Sequence, residues 1–414
     1  MIRPADATSV EVADVYKGES KVAELRRIDD GTEFRYLESY VEDGGRPIAS
    51  TLPVRKRGYL ARSGAVPAFF AGLLPEGARL TALTRAVKTS ADDELSLLVA
   101  VGNDAVGDVR VIPAGERPTP HRLDLPTDPS RVVFADLFQR SIDPNTAQLD
   151  AAIAGVQDKL SDSMISFPIK RAEGRAFLKL EPGQFPHIVR NEHFFLGLAR
   201  EAGFVVPRTE LVTDRTGSDG LLIERFDRAV DSDGRLVRFA QEDGCQLLDR
   251  YPADKYRITI NELAARVQEV ASAPIPAVLD LVLLVAFSWA IGNGDLHAKN
   301  FSLQWLADEV LIAPTPTYDV LSTVPYGSLN QNMAMKLDGR DDNFQRRYFI
   351  DFAARFGVPE RLLQRRLNTM FDRMIPGLDG LDSIGFEADM RTRLDREIRR
   401  RIGILRHGAR RHEQ

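Results

Sequence analysis

Cysteine is scarce in this 414-residue chain, which contains only Cys245. A single cysteine excludes an internal disulfide framework and a cysteine-rich zinc site. It fits a reducing compartment, and the ordinary interpretation of such a residue is a small buried apolar side chain. The sequence therefore favours a cytoplasmic protein whose stability comes from packed hydrophobic cores.

Long hydrophobic runs are also scarce. Residues 1–18 contain no apolar core, so they do not resemble a secretory signal. The most apolar stretch, residues 281–291, follows Asp280 and is shorter than the roughly 20 residues that a membrane-spanning helix needs. We interpret it as a buried helix and expect no membrane association.

A strong excess of one charge is the third missing feature, because the net charge is only −5. This value gives no reason to expect a general nucleic-acid binder. Hydrophobic residues make up 43% of the chain and charged residues 28%, which is ordinary for a folded protein and does not suggest disorder. A chain of this length can form two or three packed units.

Strand-like segments dominate the first part of the chain, and helical patterns dominate from about residue 261. A proline-rich polar segment at 117–130 is typical of a linker. We predict a small mixed unit at 1–120, a strand-rich lobe at 131–240 and a helical lobe at 241–414. This order predicts an α+β architecture with two lobes and an additional N-terminal unit.

The strongest chemical signal is the segment 294–300 (GDLHAKN), directly after the predicted buried helix. Asp295 and Asn300 have the spacing of a protein-kinase catalytic loop. In such a loop the aspartate orients the attacking hydroxyl or accepts its proton, and the asparagine amide oxygen holds magnesium. A turn at a helix end explains the same two residues, and His297 and Lys299 are equally compatible with a structural role.

A second carboxylate follows at Asp319, after the apolar stretch 310–312. Phosphoryl transfer needs carboxylate and amide oxygens that hold magnesium against the phosphates. Asp319 and Asn300 would supply that pair. The simpler alternative is an aspartate that caps a turn beside Pro316.

A small glycine-containing segment precedes the first strand of the second part and is a candidate phosphate loop, because backbone N–H groups can approach phosphates there. It is not a Walker A motif, since GxxxxGK[ST] is absent. Its residues are Ala154, Gly155, Val156, Gln157, Asp158 and Lys159.

The apolar strand 177–180 contains Lys179, a candidate contact for ATP phosphates. Glu192, at the start of the next predicted helix, is its candidate partner. Glu224 and Phe226 end a later strand, where an adenine-binding hinge would lie. A solvent-facing lysine and a helix-terminal acid are the ordinary alternatives, but these features follow one another in the order found in kinases.

At this point the sequence resembles the HipA family of bacterial kinases, the toxin partners of HipB-type antitoxins. The resemblance covers nearly the whole chain and rests on several motifs in a fixed order. They are 72–77 (GLLPEG), 101–111 (VGNDAVGDVRV), 154–160 (AGVQDKL), 222–228 (LIERFDR), 241–246 (QEDGCQ), 294–302 (GDLHAKNFS) and 318–323 (YDVLST).

The resemblance implies a kinase-like fold with an additional N-terminal subdomain. It implies that Asp295 is the catalytic aspartate and that Asn300 and Asp319 bind magnesium. The loop 154–159 and Lys179 would contact the ATP phosphates. The residues Glu224, Phe226, His297 and Lys299 complete the expected nucleotide site.

The resemblance also implies a biological role. A family member of this kind is a cytoplasmic serine/threonine protein kinase that uses ATP and Mg²⁺. Its expected substrate is an aminoacyl-tRNA synthetase, typically the glutamyl enzyme, whose phosphorylation stops translation and causes growth arrest and persistence. Its expected partner is a HipB-like DNA-binding antitoxin, which would bring it to operator DNA.

One position departs from the family pattern. The family usually has an autophosphorylated serine two residues before the Ala-Gly of the phosphate loop, and this chain has Ala152 there. A methyl group cannot accept phosphate, so we expect no self-phosphorylation at this position. Ser161 and Ser163 are nearby alternatives.

Two other functions stay open. A small-molecule kinase of the aminoglycoside or choline type uses the same aspartate and asparagine residues, although the motifs of the N-terminal subdomain argue against it. A catalytically impaired corepressor that binds an antitoxin is the second alternative. Asp295, Asn300 and Asp319 argue against it, whereas Ala152 keeps it open.

The C-terminal residues 391–411 contain nine arginines. They fit a solvated helix face interleaved with apolar residues. Contact with DNA phosphates in an antitoxin complex is the alternative.

Overall fold

A computed structural model describes residues 4–118, 128–142, 165–171, 174–181, 183–306, 310–327 and 332–407. The chain forms two compact units. The first contains the described residues up to Leu180 together with Val212–Pro252. The second contains the described residues of Glu181–Leu211 and Ala253–Gln414.

An antiparallel sheet begins the first unit, with strand order β4-β3-β2-β1-β5. Its strands are β1 (Val12–Lys17), β2 (Ser20–Ile28), β3 (Gly31–Tyr36), β4 (Tyr59–Arg62) and β5 (Val109–Pro113). Alternate side chains of these strands enter one core, as the two-residue period of a strand requires. Gly31 has φ +128° where β3 begins, and a Cβ there would clash with the Ala61 carbonyl.

Short helices pack against this sheet. They are α1 (Glu38–Glu42), α2 (Ala68–Ala71), α3 (Gly77–Val87) and α4 (Glu94–Val101), with 3₁₀ turns at Pro4–Ser9 and Gly102–Asp104. Asp93 caps α4 by accepting a hydrogen bond from the Ser96 amide.

A four-stranded sheet follows, with order β6-β7-β9-β8. The elements of this region are a 3₁₀ turn at Pro129–Arg131, α5 (Phe134–Ile142), β6 (Ile165–Arg171), β7 (Gly174–Leu180), α6 (Ile188–Ala202), β8 (Thr209–Thr213) and β9 (Asp219–Glu224). Leu178, Leu180 and Leu222 pack with Phe134 in a small core of the first unit. Helix α6 belongs to the second unit.

The first unit closes with a short hairpin and a capped turn of helix. These elements are β10 (Arg228–Val230), β11 (Leu236–Arg238), β12 (Gln241–Asp243) and α7 (Gly244–Leu247). The Asp243 side chain and the Gln246 side chain form a capping box. Gln246 also donates to the Phe69 carbonyl, which ties the segment 241–246 to the N-terminal subdomain.

The second unit is mainly helical. Its remaining elements are a 3₁₀ turn at Pro252–Asp254, α8 (Ile260–Val270), α9 (Pro274–Ile291), a 3₁₀ turn at Ala298–Asn300, β13 (Ser302–Leu306), β14 (Leu311–Pro314), α10 (Arg346–Arg355), α11 (Glu360–Gly377), a 3₁₀ segment at Leu378–Ile384 and α12 (Ala388–His407). In α12, the residues Leu394, Ile398, Ile402 and Leu405 are buried. Arg396, Arg399 and Arg400 between them are exposed, which fits the solvated-face interpretation, whereas Arg401 is buried and donates to the Trp289 carbonyl at 2.8 Å.

Helix α9 is the centre of the second unit. Within the described part of the chain it is the one helix whose length and composition would suit a membrane span, yet 78% of it is buried inside the protein. The prediction of a buried helix is therefore confirmed. Gly292 ends α9 at φ +72°, and a Cβ there would clash with Val324, so only glycine fits this helix end.

The predicted α+β class is confirmed. The finer division into 1–120, 131–240 and 241–414 stays a prediction, and most of the predicted linker lies outside the described residues.

Candidate active site

The loop after α9 is fixed by its own side chains and by one threonine. The Thr323 hydroxyl donates to the Gly292 carbonyl at 2.9 Å and accepts from the Gly294 amide at 3.0 Å. The Asn293 side-chain oxygen accepts from the Asp295 amide at 3.0 Å. These bonds pair the backbone groups of the loop and so fix the backbone that presents Asp295.

Asp295 is nearly buried, with 7% of its surface exposed. The Tyr256 hydroxyl donates to its Oδ1 at 3.0 Å. The Tyr256 ring also makes an edge contact with His297, with ring centroids 5.2 Å apart. Tyr256 thus orients the carboxylate that the sequence predicts to be catalytic. The sequence contains no motif that identifies this tyrosine.

Asn300 joins the two predicted metal-binding segments. Its side-chain oxygen accepts from the His297 amide at 2.9 Å and so closes the catalytic loop. Its side-chain nitrogen donates to Oδ2 of Asp319 at 3.3 Å. The structure therefore places Asp295, Asn300 and Asp319 in one unit and brings the last two into contact.

Asp319 has an unusual backbone, with φ +52° in the left-handed region. Non-glycine residues rarely adopt this conformation, and such residues cluster at functional sites. The neighbouring Tyr318 hydroxyl donates to the Lys299 carbonyl at 2.6 Å and lies 2.5 Å from the Ser302 hydroxyl. Tyr318 therefore ties the Asp319 segment to the catalytic loop.

Asn191 holds the other end of the Asp319 segment, and sequence reasoning missed it. Its amide nitrogen donates to the Ser322 carbonyl at 2.8 Å, and its oxygen accepts from the Ser322 amide at 3.0 Å. Asn191 is fully buried on α6. A polar residue on a buried helical face was the available signal, but its partner is 131 residues away in sequence.

Asn300 and Asp319 carry side-chain oxygens of the type that magnesium binds, although the Asn300 oxygen accepts from the His297 amide and its nitrogen faces Asp319. No group of three or more His, Cys, Asp or Glu side chains that could hold a metal occurs among the described residues. Magnesium in phosphoryl-transfer sites, however, is bound by one or two side-chain oxygens and completes its shell with phosphates and water. Asn300 and Asp319 supply that kind of donor set.

The predicted nucleotide residues lie in different parts of the structure. In the first unit, Lys179 lies on β7 opposite Leu221 and is buried. Glu224 ends β9 and is exposed, whereas Phe226 is half-buried. The candidate loop 154–159, Ala152, Ser161 and Ser163 lie outside the described residues. Glu192 is buried in the second unit, and its pairing with Lys179 stays a prediction.

His297 and Lys299, the remaining predicted nucleotide contacts, lie within the catalytic loop. Both are buried. The His297 amide and the Lys299 carbonyl take part in the bonds that fix this loop. The backbones of both residues therefore have a structural role in the loop. A contact between their side chains and the nucleotide stays a prediction.

Comparison with known proteins identifies the family. Residues 151–377 match the HipA-like C-terminal domain, and residues 13–112 match the HipA N-terminal domain. The chain belongs to the HipA family. It is 30% identical over 362 residues to Y4mE of Sinorhizobium fredii, which carries the name of a kinase, and the match covers 82% of this chain and 84% of that protein. The predicted membership is confirmed.

Two further matches concern HipA of Shewanella oneidensis. The serine/threonine-protein kinase toxin HipA of that organism is 26% identical, and the match covers 95% of this chain and 96% of that protein. The solved complex of HipA, HipB and operator DNA from the same organism contains a chain that superposes with TM-score 0.75 at 21% identity, over 96% of this chain and 99% of that chain. This likeness shows the fold, and the chain is a kinase of the HipA family.

Proposed function

We propose that this HipA-family kinase transfers the γ-phosphoryl group of ATP to a serine or threonine of a protein. The observation that carries the proposal is the arrangement of Asp295, Asn300 and Asp319 in one unit, where hydrogen bonds of 2.9–3.3 Å hold their side chains. A catalytic carboxylate beside a pair of oxygen ligands is what phosphoryl transfer requires.

In this proposal Asp295 orients the acceptor hydroxyl and takes its proton as the oxygen attacks. Tyr256 keeps the carboxylate directed toward the acceptor, since its hydroxyl donates to Oδ1. Positioning and charge stabilisation supply most of the rate enhancement in reactions of this type.

Asn300 and Asp319 would hold magnesium, which supplies charge neutralisation at the phosphate oxygens when it is bound. Lys179 and the loop 154–159 would contact the phosphates. Glu224 and Phe226 would contact the adenine. His297 and Lys299 would contribute to the nucleotide site from the catalytic loop.

We also propose the biological setting of a toxin–antitoxin pair. The S. oneidensis relative is named a toxin, and its structure contains HipB and operator DNA. By this similarity, a HipB-like antitoxin would bind the present chain in the cytoplasm and bring it to operator DNA. The proposed substrate is an aminoacyl-tRNA synthetase, with the glutamyl enzyme as the first candidate, and its phosphorylation would cause growth arrest.

Ala152 adds a regulatory expectation. This position cannot accept phosphate, so self-inactivation there is not possible. Mass spectrometry after incubation with ATP tests whether Ser161 or Ser163 carries phosphate instead. Phosphate on either serine would show that self-phosphorylation uses a different position.

The test is transfer from radiolabelled ATP into a host lysate with magnesium, comparing the wild type with Asp295→Ala. We expect one labelled protein of synthetase size with the wild type and none with the variant. Label only in small molecules would favour a small-molecule kinase. ATP binding without any label would favour a catalytically silent corepressor, and growth arrest that survives Asp295→Ala would exclude transfer as its cause.

A further inference from the structure

Two motifs outside the catalytic loop meet inside the first unit. They are the segment 101–111 of the N-terminal subdomain and the segment 222–228, which contains the proposed adenine hinge. Asp104 accepts from Nη1 of Arg228 at 2.6 Å and from Nη2 of Arg238 at 3.1 Å. Arg225 also lies 3.8 Å from the Asp104 carboxylate.

Asp227 completes the network from the hinge side. Arg225 donates to it twice, from Nε at 2.8 Å and from Nη2 at 2.6 Å, and Arg228 donates at 2.9 Å. The Gly107 amide donates to the same carboxylate at 3.1 Å. The loop of the N-terminal subdomain is thus a direct hydrogen-bond donor to the hinge segment.

The network extends to the backbone and to strand β7. Arg228 donates to the Ala105 carbonyl at 3.0 Å. The Arg225 guanidinium lies over the Phe177 ring, 4.4 Å from its centroid, and Phe177 is two residues before Lys179 on the same strand. The hinge is therefore fixed between the N-terminal loop and the strand that carries the proposed phosphate lysine.

Burial alternates along the hinge. Arg225 and Asp227 are each 3% exposed, whereas Glu224 is exposed and Phe226 is half-buried. The side chains that join the network are therefore the neighbours of those proposed to meet adenine. Because charge-assisted bonds inside a protein have strict geometry, they fix this alternation of buried and more exposed side chains.

We propose that residues 104–107 of the N-terminal subdomain are a positioning element for the adenine-binding hinge. Through Asp104 and the Gly107 amide this loop holds Arg225, Asp227 and Arg228, and so sets where Glu224 and Phe226 lie. The inference rests on the proposed function, because it assumes that the hinge binds the base of ATP. It gives the N-terminal subdomain a part in nucleotide selection.

The test uses the Asp104→Asn variant of the whole chain. Calorimetry gives its dissociation constants for ATP and for GTP. Steady-state assays of phosphoryl transfer give its KM for ATP and its kcat. Networks of this kind couple distant groups by about 0.5–2 kcal/mol, so we expect about a 2- to 30-fold loss of ATP affinity. We also expect a smaller preference for ATP over GTP, and a kcat at saturating ATP close to that of the wild type. A general loss of stability would not change base selectivity.

Asp93→Asn is the matched control. Asp93 lies in the same subdomain, accepts from Arg27 at 3.0 Å and caps α4, but it has no contact with the hinge in the described structure. If Asp104→Asn does not fold, Arg238→Gln removes one cation from the edge of the network and is measured instead. We expect the control to keep both the ATP affinity and the base preference of the wild type.

The possible outcomes distinguish a failure of this inference from a failure of the proposed ATP-dependent function. A folded Asp104→Asn or Arg238→Gln protein with wild-type ATP affinity and base preference would overturn the inference alone. Equal losses in Asp93→Asn would overturn it as well, since the effect would not be specific to the hinge. A wild-type protein that binds no ATP would overturn the proposed function and the inference together.

Discussion

The proposed catalytic segments of the second unit and the proposed adenine hinge of the first unit are held in place by different interactions. Thr323, Asn191 and Tyr318 fix the catalytic segments with uncharged hydrogen bonds. Buried ion pairs fix the hinge. Neutral groups therefore support the backbone of the two segments whose carboxylates, Asp295 and Asp319, are proposed to act in phosphoryl transfer.

The largest effect is expected at Asp295, the proposed catalytic carboxylate. Asp295→Asn keeps the shape of the side chain but removes the proton acceptor, so kcat should fall by about 100- to 10,000-fold. The ATP dissociation constant should stay within about twofold, because the change affects the transition state. Steady-state transfer and calorimetry measure the two quantities. A loss confined to ATP affinity would contradict the assigned role.

The next largest effect is on the stability of the first unit. Burial alone would raise the pKa of Asp104, but Arg228, Arg225 and Arg238 together hold the pKa of that carboxyl well below its usual range. Removing one member of a buried ion network costs about 3–5 kcal/mol. Asp104→Asn should therefore lower the free energy of unfolding by about this amount at neutral pH.

The lowered pKa also fixes the pH dependence of this effect. A carboxyl with a depressed folded pKa contributes stability above its unfolded pKa of about 3.9, and the contribution is lost as pH falls through the folded value. The difference in Tm between the wild type and Asp104→Asn should be constant from neutral pH to about pH 5 and shrink below about pH 4. A difference that grows on acidification would contradict this explanation.

A smaller effect is expected at Asn191. Asn191→Leu would leave the buried amide and carbonyl of Ser322 without their partners, at about 1–3 kcal/mol for each group. We expect a lower Tm and a lower kcat, because the segment that carries Asp319 loses its anchor. Asn261→Leu, at a surface contact with Asp338, is the matched control and should change neither by much. Unchanged kcat in a folded Asn191→Leu protein would show that this anchor is not needed for catalysis.

The smallest effect is expected at Tyr256. Tyr256→Phe removes one hydrogen bond to Asp295, worth about 0.5–1.5 kcal/mol, so kcat should fall about 2- to 13-fold while KM for ATP stays constant. Tyr251→Phe, which removes a hydroxyl that donates to the Val66 carbonyl in the first unit, is the control. Equal losses of kcat in both variants would indicate a general effect of losing a buried hydroxyl.

The sequence predicts the parts of this protein that local pattern determines. The apolar core of helix α9 and the spacing of Asp295 and Asn300 are contained in short segments, so composition and motif spacing identify them. The family resemblance then supplies the fold class.

Contacts between distant segments could not be predicted in the same way. The partners Asn191 and Ser322 are 131 residues apart, and Arg228 and Asp104 are 124 apart. In the sequence these residues look like an ordinary helical asparagine and scattered surface charges. The fold brings them together, because a buried polar group needs a hydrogen-bond partner and that partner can come from any part of the chain.

The most direct test of the account is a kinetic comparison of two variants, Asp295→Asn in the second unit and Asp104→Asn in the first. Transfer from ATP to the labelled acceptor would be measured for each over a full range of ATP concentration. We expect Asp295→Asn to lose kcat and keep its ATP affinity, and Asp104→Asn to lose ATP affinity and keep kcat. If both variants change the same parameter, the division between a catalytic unit and a base-recognising hinge is wrong.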